Sequence, residues 1–466
     1  MRPVGWVRCG VVVAVVSGVL GGVPVVAQGA SRVAGDINGD GYQDLVVSAP
    51  DAVVNGRAGA GAVVVVFGGA NGPGRRVVLT QNSAGVPGSA EAGDRFGASV
   101  VVHDLDGNGY NDLVIGAPGE SVTGDAGAGS VTVVRGASGG LGSASVVADP
   151  WPYDHDAWGR TLAVGKFEGL SDGGRPMIAV GSNNNWIYYV SATAGNADLG
   201  GFALGFNPQY GVTQLVGTPG EALVVSGRGH ATDDWQADGE GSEVGTAVVT
   251  GGDSAAERAG GLVAAVGDLD GDGLPDLVTG NPFEPGQDPA GALGGKVTVT
   301  FGGAGGGPGG RVVEITQNTA GVPGNSEAGD RFGAAVSIGD TDRDGFADLV
   351  IGAPGENVSA GAVTVIRGGA DGLDLTTVRG LTQNTAGVPG GSETGDGFGG
   401  SVLLRDTTGD GRADLTVGGP GEDGGDGALW FLPRAGTSGV TGFTVAGVGL
   451  STSGTPHFGS LSAAGR

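Results

Sequence analysis

Asp268-Leu-Asp270-Gly-Asp272-Gly-Leu274-Pro-Asp276 runs directly into the apolar run Leu277-Val-Thr-Gly280. Four carboxylates fall at alternate or near-alternate positions, the third is followed by glycine, and a β-type segment follows the last. Acidic side chains spaced this way around a tight glycine turn can converge on one centre. A hard cation with oxygen ligands is the natural occupant.

The pattern recurs as Asp36-Ile-Asn38-Gly-Asp40-Gly-Tyr42-Gln-Asp44, Asp104-Leu-Asp106-Gly-Asn108-Gly-Tyr110-Asn-Asp112, Asp340-Thr-Asp342-Arg-Asp344-Gly-Phe346-Ala-Asp348 and Asp406-Thr-Thr408-Gly-Asp410-Gly-Arg412-Ala-Asp414. Five copies in one chain make it a repeat protein. Three of the four steps between copies agree on a unit of about 68 residues, and the long step from 104 to 268 spans units whose turns have decayed.

Around each turn the chain reads as short Val-rich runs bounded by Gly, Pro and Asp, so the class is all-β. The second unit shows the layout: Phe96–His103, the acidic turn, Leu113–Pro118, a glycine-rich loop, Ser130–Arg135 and a turn at Gly136–Gly140. Four-stranded units at this period, stacked to bury their apolar faces, predict a β-propeller. Inside the long step, Ala157–Gly165 and Met177–Gly181 match a first and second strand, with Lys166 where the first acidic ligand would stand. Gln214–Gly227 reads as a further strand pair with a shortened turn. The expectation is therefore seven blades, with those at about 157–250 degenerate. His457–Gly465, a first strand without an acidic turn, would complete the N-terminal blade, since closing the ring removes exposed sheet edges.

Phe96-Gly97 with Gly116-Ala-Pro118, Phe332-Gly333 with Gly352-Ala-Pro354, and the looser Phe398-Gly399 with Gly418-Gly-Pro420 resemble the FG-GAP repeat, the blade unit of the integrin α-subunit propeller. The resemblance covers essentially all of 31–466 and implies a seven-bladed propeller with Ca²⁺ in the hairpin between the first two strands of several blades. Ser48-Ala-Pro50 and Gly280-Asn-Pro282 depart from the pattern. With no integrin leg, membrane helix or tail in the sequence, membership of a receptor is not expected.

Oxygens at positions 1, 3, 5 and 9 of each turn, with the backbone carbonyl at position 7 (Tyr42, Tyr110, Leu274, Phe346 or Arg412), supply about five ligands of the roughly 6–8 that Ca²⁺ takes. Up to five ions are expected. An EF-hand would need a glutamate at position 12 and flanking helices; here Val47, Ile115, Thr279, Ile351 and Val417 stand there, on β-type segments.

Acidic residues outnumber basic ones 49 to 23, for a net charge of -26, which argues against nucleic acid and anionic membrane surfaces as partners. Arg2 and Arg8 precede an apolar run from Val11 to Leu20 and a small-residue site at Val25-Val-Ala27, which reads as a signal peptide over 1–27 ahead of one propeller domain over 28–466. The sole cysteine, Cys9, lies within that signal, so no disulfide is expected, and no other segment is long enough to span a membrane.

Catalysis finds little support. The four histidines, at 103, 155, 230 and 457, lack metal-ligand spacing, and Gly136-Ala-Ser138-Gly-Gly140 matches a nucleophile elbow without its strand-to-helix context. The expected role is a secreted, extracellular, non-enzymatic module for adhesion or for binding a protein or glycan partner. Glu120, Glu356 and Glu422, on loops opposite the ions, are candidate contacts. The alternatives are an extracellular hydrolase or its accessory domain, and a lectin using Trp151, Trp158, Trp186 and Trp235, although core filling is the simpler role for these rings.

Overall fold

The computed structural model describes residues 33–461 apart from 123, 153–154, 167–174, 185, 192–197, 204–211, 218–222, 229–243, 251–253, 259–261, 286–290 and 304–307. The signal segment with Cys9, His230 and Trp235 lie outside the described residues, and so do the side chains of Trp186 and of the strands between 198 and 258.

In chain order the strands are β1 (Leu45–Ala49), β2 (Ala62–Val66), β3 (Arg76–Leu79), β4 (Ser99–His103), β5 (Asp112–Ala117), β6 (Ser130–Ala137), β7 (Gly140–Val147), β8 (Thr161–Gly165), β9 (Met177–Gly181), β10 (Trp186–Ser191) and β11 (Asp198–Ala203). They continue with β12 (Val212–Gly217), β13 (Leu223–Arg228), β14 (Val244–Thr250), β15 (Ser254–Arg258), β16 (Val263–Gly267), β17 (Asp276–Asn281), β18 (Lys296–Gly302), β19 (Pro308–Ile315), β20 (Ala335–Gly339), β21 (Asp348–Ala353), β22 (Ala362–Arg367) and β23 (Asp374–Leu381). The last are β24 (Ser401–Arg405), β25 (Asp414–Gly419), β26 (Ala428–Leu432), β27 (Thr441–Thr444) and β28 (Ser460–Leu461). Each run of four pairs as an antiparallel meander, giving sheets β4–β7, β8–β11, β12–β15, β16–β19, β20–β23 and β24–β27, while β28 adds to β1 in the order β28-β1-β2-β3. The chain's two ends thus share a sheet, with Val47 opposite Leu461 and Ser48 opposite Ser460.

The two inner strands of a sheet, such as β1 and β2, are largely hydrophobic because both of their faces are buried. On β2, Val64 and Val66 pack toward β26 and Phe443, whereas Val63 and Val65 pack toward Val100, Val102 and Leu113 of the next sheet. Every apolar cluster lies between two sheets, so the blades are held by their neighbours. A wedge marks each of five junctions among the described residues: Phe96, Trp158, Phe332, Phe398 and Phe458 are at most 1% exposed. Each donates its backbone N–H to a loop carbonyl of the preceding blade, as Phe96 does to Ala60 (3.0 Å) and Phe332 to Gly294 (2.7 Å). The Phe-Gly pair precedes the first strand, which starts at Ser99 in the second unit.

The expected count of seven FG-GAP blades is corrected. Side-chain packing is described for six of these sheets, and the β12–β15 sheet is described by its backbone pairing alone. The packed blades among the described residues number six, not seven. Strand pairs bounded by glycine turns identify a sheet, but a blade also needs side chains that pack it against a neighbour. The segment 204–262 carries neither a Phe-Gly wedge nor an acidic turn in its sequence. Among the described residues no helix is long and apolar enough to cross a membrane.

Candidate metal centre

The five acidic turns are the hairpins before β1, β5, β17, β21 and β25, and they share one backbone design. In four of them the first Asp accepts N–H groups from positions 4 and 6, as Asp36 does from Gly39 (2.7 Å) and Gly41 (2.8 Å) and Asp268 from Gly271 (2.7 Å) and Gly273 (3.0 Å), whereas Asp406 accepts from positions 5 and 6, Asp410 (3.0 Å) and Gly411 (2.9 Å). Gly39 and Gly41 have positive φ, 76° and 94°, which glycine adopts without a Cβ penalty. The fifth residue accepts from position 7, as Asp272 does from Leu274 and Asn108 from Tyr110, each at 2.7 Å.

The ninth residue behaves differently. Asp44, Asp112, Asp276, Asp348 and Asp414 are at most 1% exposed. One carboxylate oxygen accepts from within the hairpin and the other from a residue at or just past the end of the third strand. For Asp276 the donors are Leu269 and Gly302, both at 2.7 Å; for Asp44 they are Ile37 (2.8 Å) and Gly68 (2.9 Å). This aspartate bolts the hairpin to the blade's own third strand. Burial pushes the carboxyl of Asp44 up to about 7 and raises that of Asp276, with Asp268 and Asp270 adding repulsion in the latter. The unfavourable charge is the physical reason to expect a counter-cation.

Three carboxylates come within 4.8 Å of one another in three hairpins: Asp104, Asp106 and Asp112; Asp268, Asp270 and Asp276; Asp340, Asp342 and Asp344. Oxygen donors at this spacing suit Ca²⁺. In the 268–276 hairpin no ion pair reaches these acids among the described residues. Arg135 pairs with Asp112 (2.8 Å) and Arg367 with Asp342 (2.8 Å) at the edges of the other two clusters. The 36–44 and 406–414 hairpins, with Asn38 and Thr408 at position 3, form no such cluster among the described residues. In the first, the Asn38 amide donates to Asp40 at 2.9 Å.

The hairpins also touch one another. The position-8 N–H donates to the position-1 carbonyl of the preceding hairpin: Asn111 to Asp36 (2.9 Å), Ala347 to Asp268 (3.0 Å) and Ala413 to Asp340 (2.6 Å). The seam joins Asp406 N–H to Gln43 Oε1 at 3.0 Å. Position 7, expected to offer only a carbonyl, also lays its ring on the preceding hairpin's position-4 glycine. A Cβ at Gly39, Gly271 or Gly409 would lie 2.4–2.8 Å from Tyr110, Phe346 or Tyr42, respectively. The hairpins therefore form one continuous arc in the order 268, 340, 406, 36, 104.

On the other face, the amide nitrogens of Gln81, Gln317 and Gln383 donate to Glu120, Glu356 (2.5 Å) and Glu422 (2.7 Å), respectively, on the next blade. These glutamates are thus engaged in blade-to-blade contacts, a role that their repetition hints at but that needed the partner glutamines to see. Nearby, Asp330 is raised by burial to about 6, and Glu422 likewise to about 7.

Trp158 is packed with His155 (5.3 Å between centroids) and Tyr188 (5.5 Å), and Trp151 with Tyr188 (5.3 Å). Core filling accounts for Trp158, which is 1% exposed. Ser138 sits in the two-residue turn between antiparallel β6 and β7, the wrong context for a nucleophile elbow.

The FG-GAP repeat family model matches residues 29–66, 96–134, 260–312, 332–366 and 398–432. Integrin alpha-PS5 of Drosophila melanogaster is 42% identical over 89 residues, covering 18% of this chain and 8% of that protein. Phosphatidylinositol-glycan-specific phospholipase D of Bos taurus is 35% identical over 96 residues, covering 20% of this chain and 11% of that protein. A solved structure of a mutant of AofleA from Arthrobotrys oligospora aligns at a TM-score of 0.38 and 12% identity over 74% of this chain and 86% of that one, too loose a likeness to carry an argument. The chain is an FG-GAP repeat protein that resembles the integrin α propeller.

Proposed function

We propose that this FG-GAP repeat protein is an exported, Ca²⁺-stabilised propeller that acts as a non-enzymatic extracellular binding or adhesion module for a protein or glycan. The observation that carries the reading is the arc of acidic hairpins, above all the 268–276 cluster of carboxylates, which has no ion-pair partner among the described residues. Ca²⁺ there would be held by Asp268, Asp270, Asp272 and Asp276 with the Leu274 carbonyl, and would supply the positive charge that the buried carboxylates lack. The backbone N–H groups shape the loop around it. Equivalent donors in the 104–112 and 340–348 hairpins would hold further ions.

The module reading is supported by rigid blades presenting loops on both faces, since binding residues concentrate on loops held by a rigid scaffold. A hydrolase reading rests on the phospholipase D match alone, which spans a small part of that protein. The lectin reading loses Trp158, which is buried.

The test is a melt of the mature chain with about 1 mM Ca²⁺ and with excess chelator, a concentration at which modules of this affinity class load. A higher melting temperature with Ca²⁺ is expected, and an unchanged melt sinks the calcium reading. A pull-down from culture medium with and without Ca²⁺ then tests the binding role: a partner retained only with Ca²⁺ is expected.

A further inference from the structure

The residue that donates its backbone N–H to the position-9 aspartate is glycine in four blades: Gly68, Gly136, Gly302 and Gly368. A Cβ at any of them would lie 2.2–2.5 Å from an atom of the adjoining hairpin. In the β24–β27 blade the same place is taken by Arg434, whose N–H reaches Asp414 at 2.8 Å. Arg434 has φ 53°, a left-handed conformation that non-glycine residues seldom adopt. None of the four glycines has a positive φ, so the left-handed backbone is particular to this blade. It delivers the guanidinium to Asp410, with Nε 2.5 Å from Oδ2 and Nη2 on the same oxygen. One residue therefore engages the position-5 and position-9 carboxylates of one hairpin. Position 3 of that hairpin is Thr408, which brings no charge.

We propose that the 406–414 hairpin is a metal-independent member of the arc, in which the Arg434 guanidinium stands in for the cation. Arg135 and Arg367 do not do this. Arg135 reaches Asp112 (2.8 Å) and, at 3.9 Å, Asp106, and Arg367 reaches Asp342 (2.8 Å), but each stands one residue before the glycine and leaves a three-carboxylate cluster intact. The location gives the substitution a purpose. The 406–414 hairpin meets the 36–44 hairpin at the seam where the ring closes, through Asp406 to Gln43 (3.0 Å) and Gly69 to Thr407 (3.1 Å). The seam would then stay locked when calcium falls, while the 268 and 340 hairpins respond to it.

This inference rests on the calcium reading for its stoichiometric arm but not for its stability arm. Calcium bound per chain is measured by equilibrium dialysis at about 1 mM free Ca²⁺. Arg434→Met is expected to bind one more ion than the wild type, and Asp410→Asn to bind the same number. Loss of one ion in Asp410→Asn, which would mean that the hairpin is already loaded, overturns the proposal. In chelator, Arg434→Met is expected to melt several degrees below the wild type and to be restored by Ca²⁺, whereas Arg434→Lys keeps the wild-type ion count. An unchanged chelator melt of Arg434→Met also overturns it. Asp272→Asn is the control for the calcium reading. If it loses no ion, that reading fails, and the chelator melt of Arg434→Met alone decides the lock.

Discussion

Replacing Asp276 by alanine separates the two jobs assigned to the acidic hairpins. The Asp276 carboxylate is fully buried and accepts two backbone N–H groups, from Leu269 and Gly302, each at 2.7 Å. Alanine leaves both donors buried without an acceptor, at about 1–3 kcal/mol each. Part of that loss is offset because the substitution also removes a buried charge that Asp268 and Asp270 repel. The expected net cost is about 2–4 kcal/mol, and it is present with or without calcium. Asp272→Asn is the contrast: Asp272 is exposed, and its recorded bond is the one it accepts from Leu274 at 2.7 Å, which an asparagine oxygen can keep. It should cost little in chelator and show its effect only with Ca²⁺ present.

The assay is amide hydrogen exchange at Leu269 and Gly302 beside thermal melts, each in Ca²⁺ and in chelator. A cost of 2–4 kcal/mol corresponds to about 30- to 700-fold faster exchange at the two amides if they open locally. If Asp276→Ala leaves exchange and melt at wild-type values in chelator, the bolt between hairpin and third strand does not exist. If the effect appears only with Ca²⁺, Asp276 is a ligand and nothing more.

Two further outcomes follow from the packing. Burial pushes Glu422 up from 4.5 to about 7, so between those values the folded state keeps a proton that the unfolded chain releases. Its contribution is full below about 4.5 and is lost as pH rises through 7; because the side chain is partly exposed, screening holds it to about 1 kcal/mol. Glu422→Gln should therefore flatten the fall in melting temperature between pH 5 and pH 8, and an unaltered slope refutes the assignment. Gly136→Ala places a Cβ 2.2 Å from the Asn111 carbonyl and 2.8 Å from that of Ile37, which should cost about 1–3 kcal/mol as a lowered melting temperature. A wild-type melt would show that this junction can relax.

Much of the fold is legible in the sequence because its determinants are local. The nine-residue turns specify their own hydrogen bonds through aspartates and glycines at set spacings, and a strand buried on both faces reads as a plain Val run such as Ala62–Val66. The Phe-Gly wedge is visible for the same reason. What escapes is what depends on a neighbour across the ring. Tyr110 and Phe346 look interchangeable with Leu274 until the preceding blade's glycine is seen beneath the ring. Glu120, Glu356 and Glu422 look like free loop acids until a glutamine from another blade is found on each. Counting units by strand pairs cannot tell a sheet from a blade packed on its neighbour. The 39-residue Gln-to-Glu spacing, repeated three times, is the signal that could have exposed the contact.

The arc also changes how the acidic repeats relate to one another. Along the chain, 164 residues separate the hairpins that start at 104 and 268, so the five appear as two groups. Around the structure the C-terminal three continue directly into the N-terminal two, because β28 joins β1 and Gln43 receives Asp406. From the 340–348 hairpin onward, each hairpin's position-8 or position-7 residue rests on the one before it, so an ion in one loop would restrain the backbone of the next. Under the proposed calcium reading, stabilisation would be a property of the whole arc rather than of isolated turns. The two hairpins without a three-carboxylate cluster, 36–44 and 406–414, meet each other at its centre. There the Asn38 amide and the Arg434 guanidinium stand against Asp40 and Asp410. Clusters able to take an ion flank that centre on both sides, and chelation should therefore loosen the arc from its ends toward a seam held by the protein's own donors.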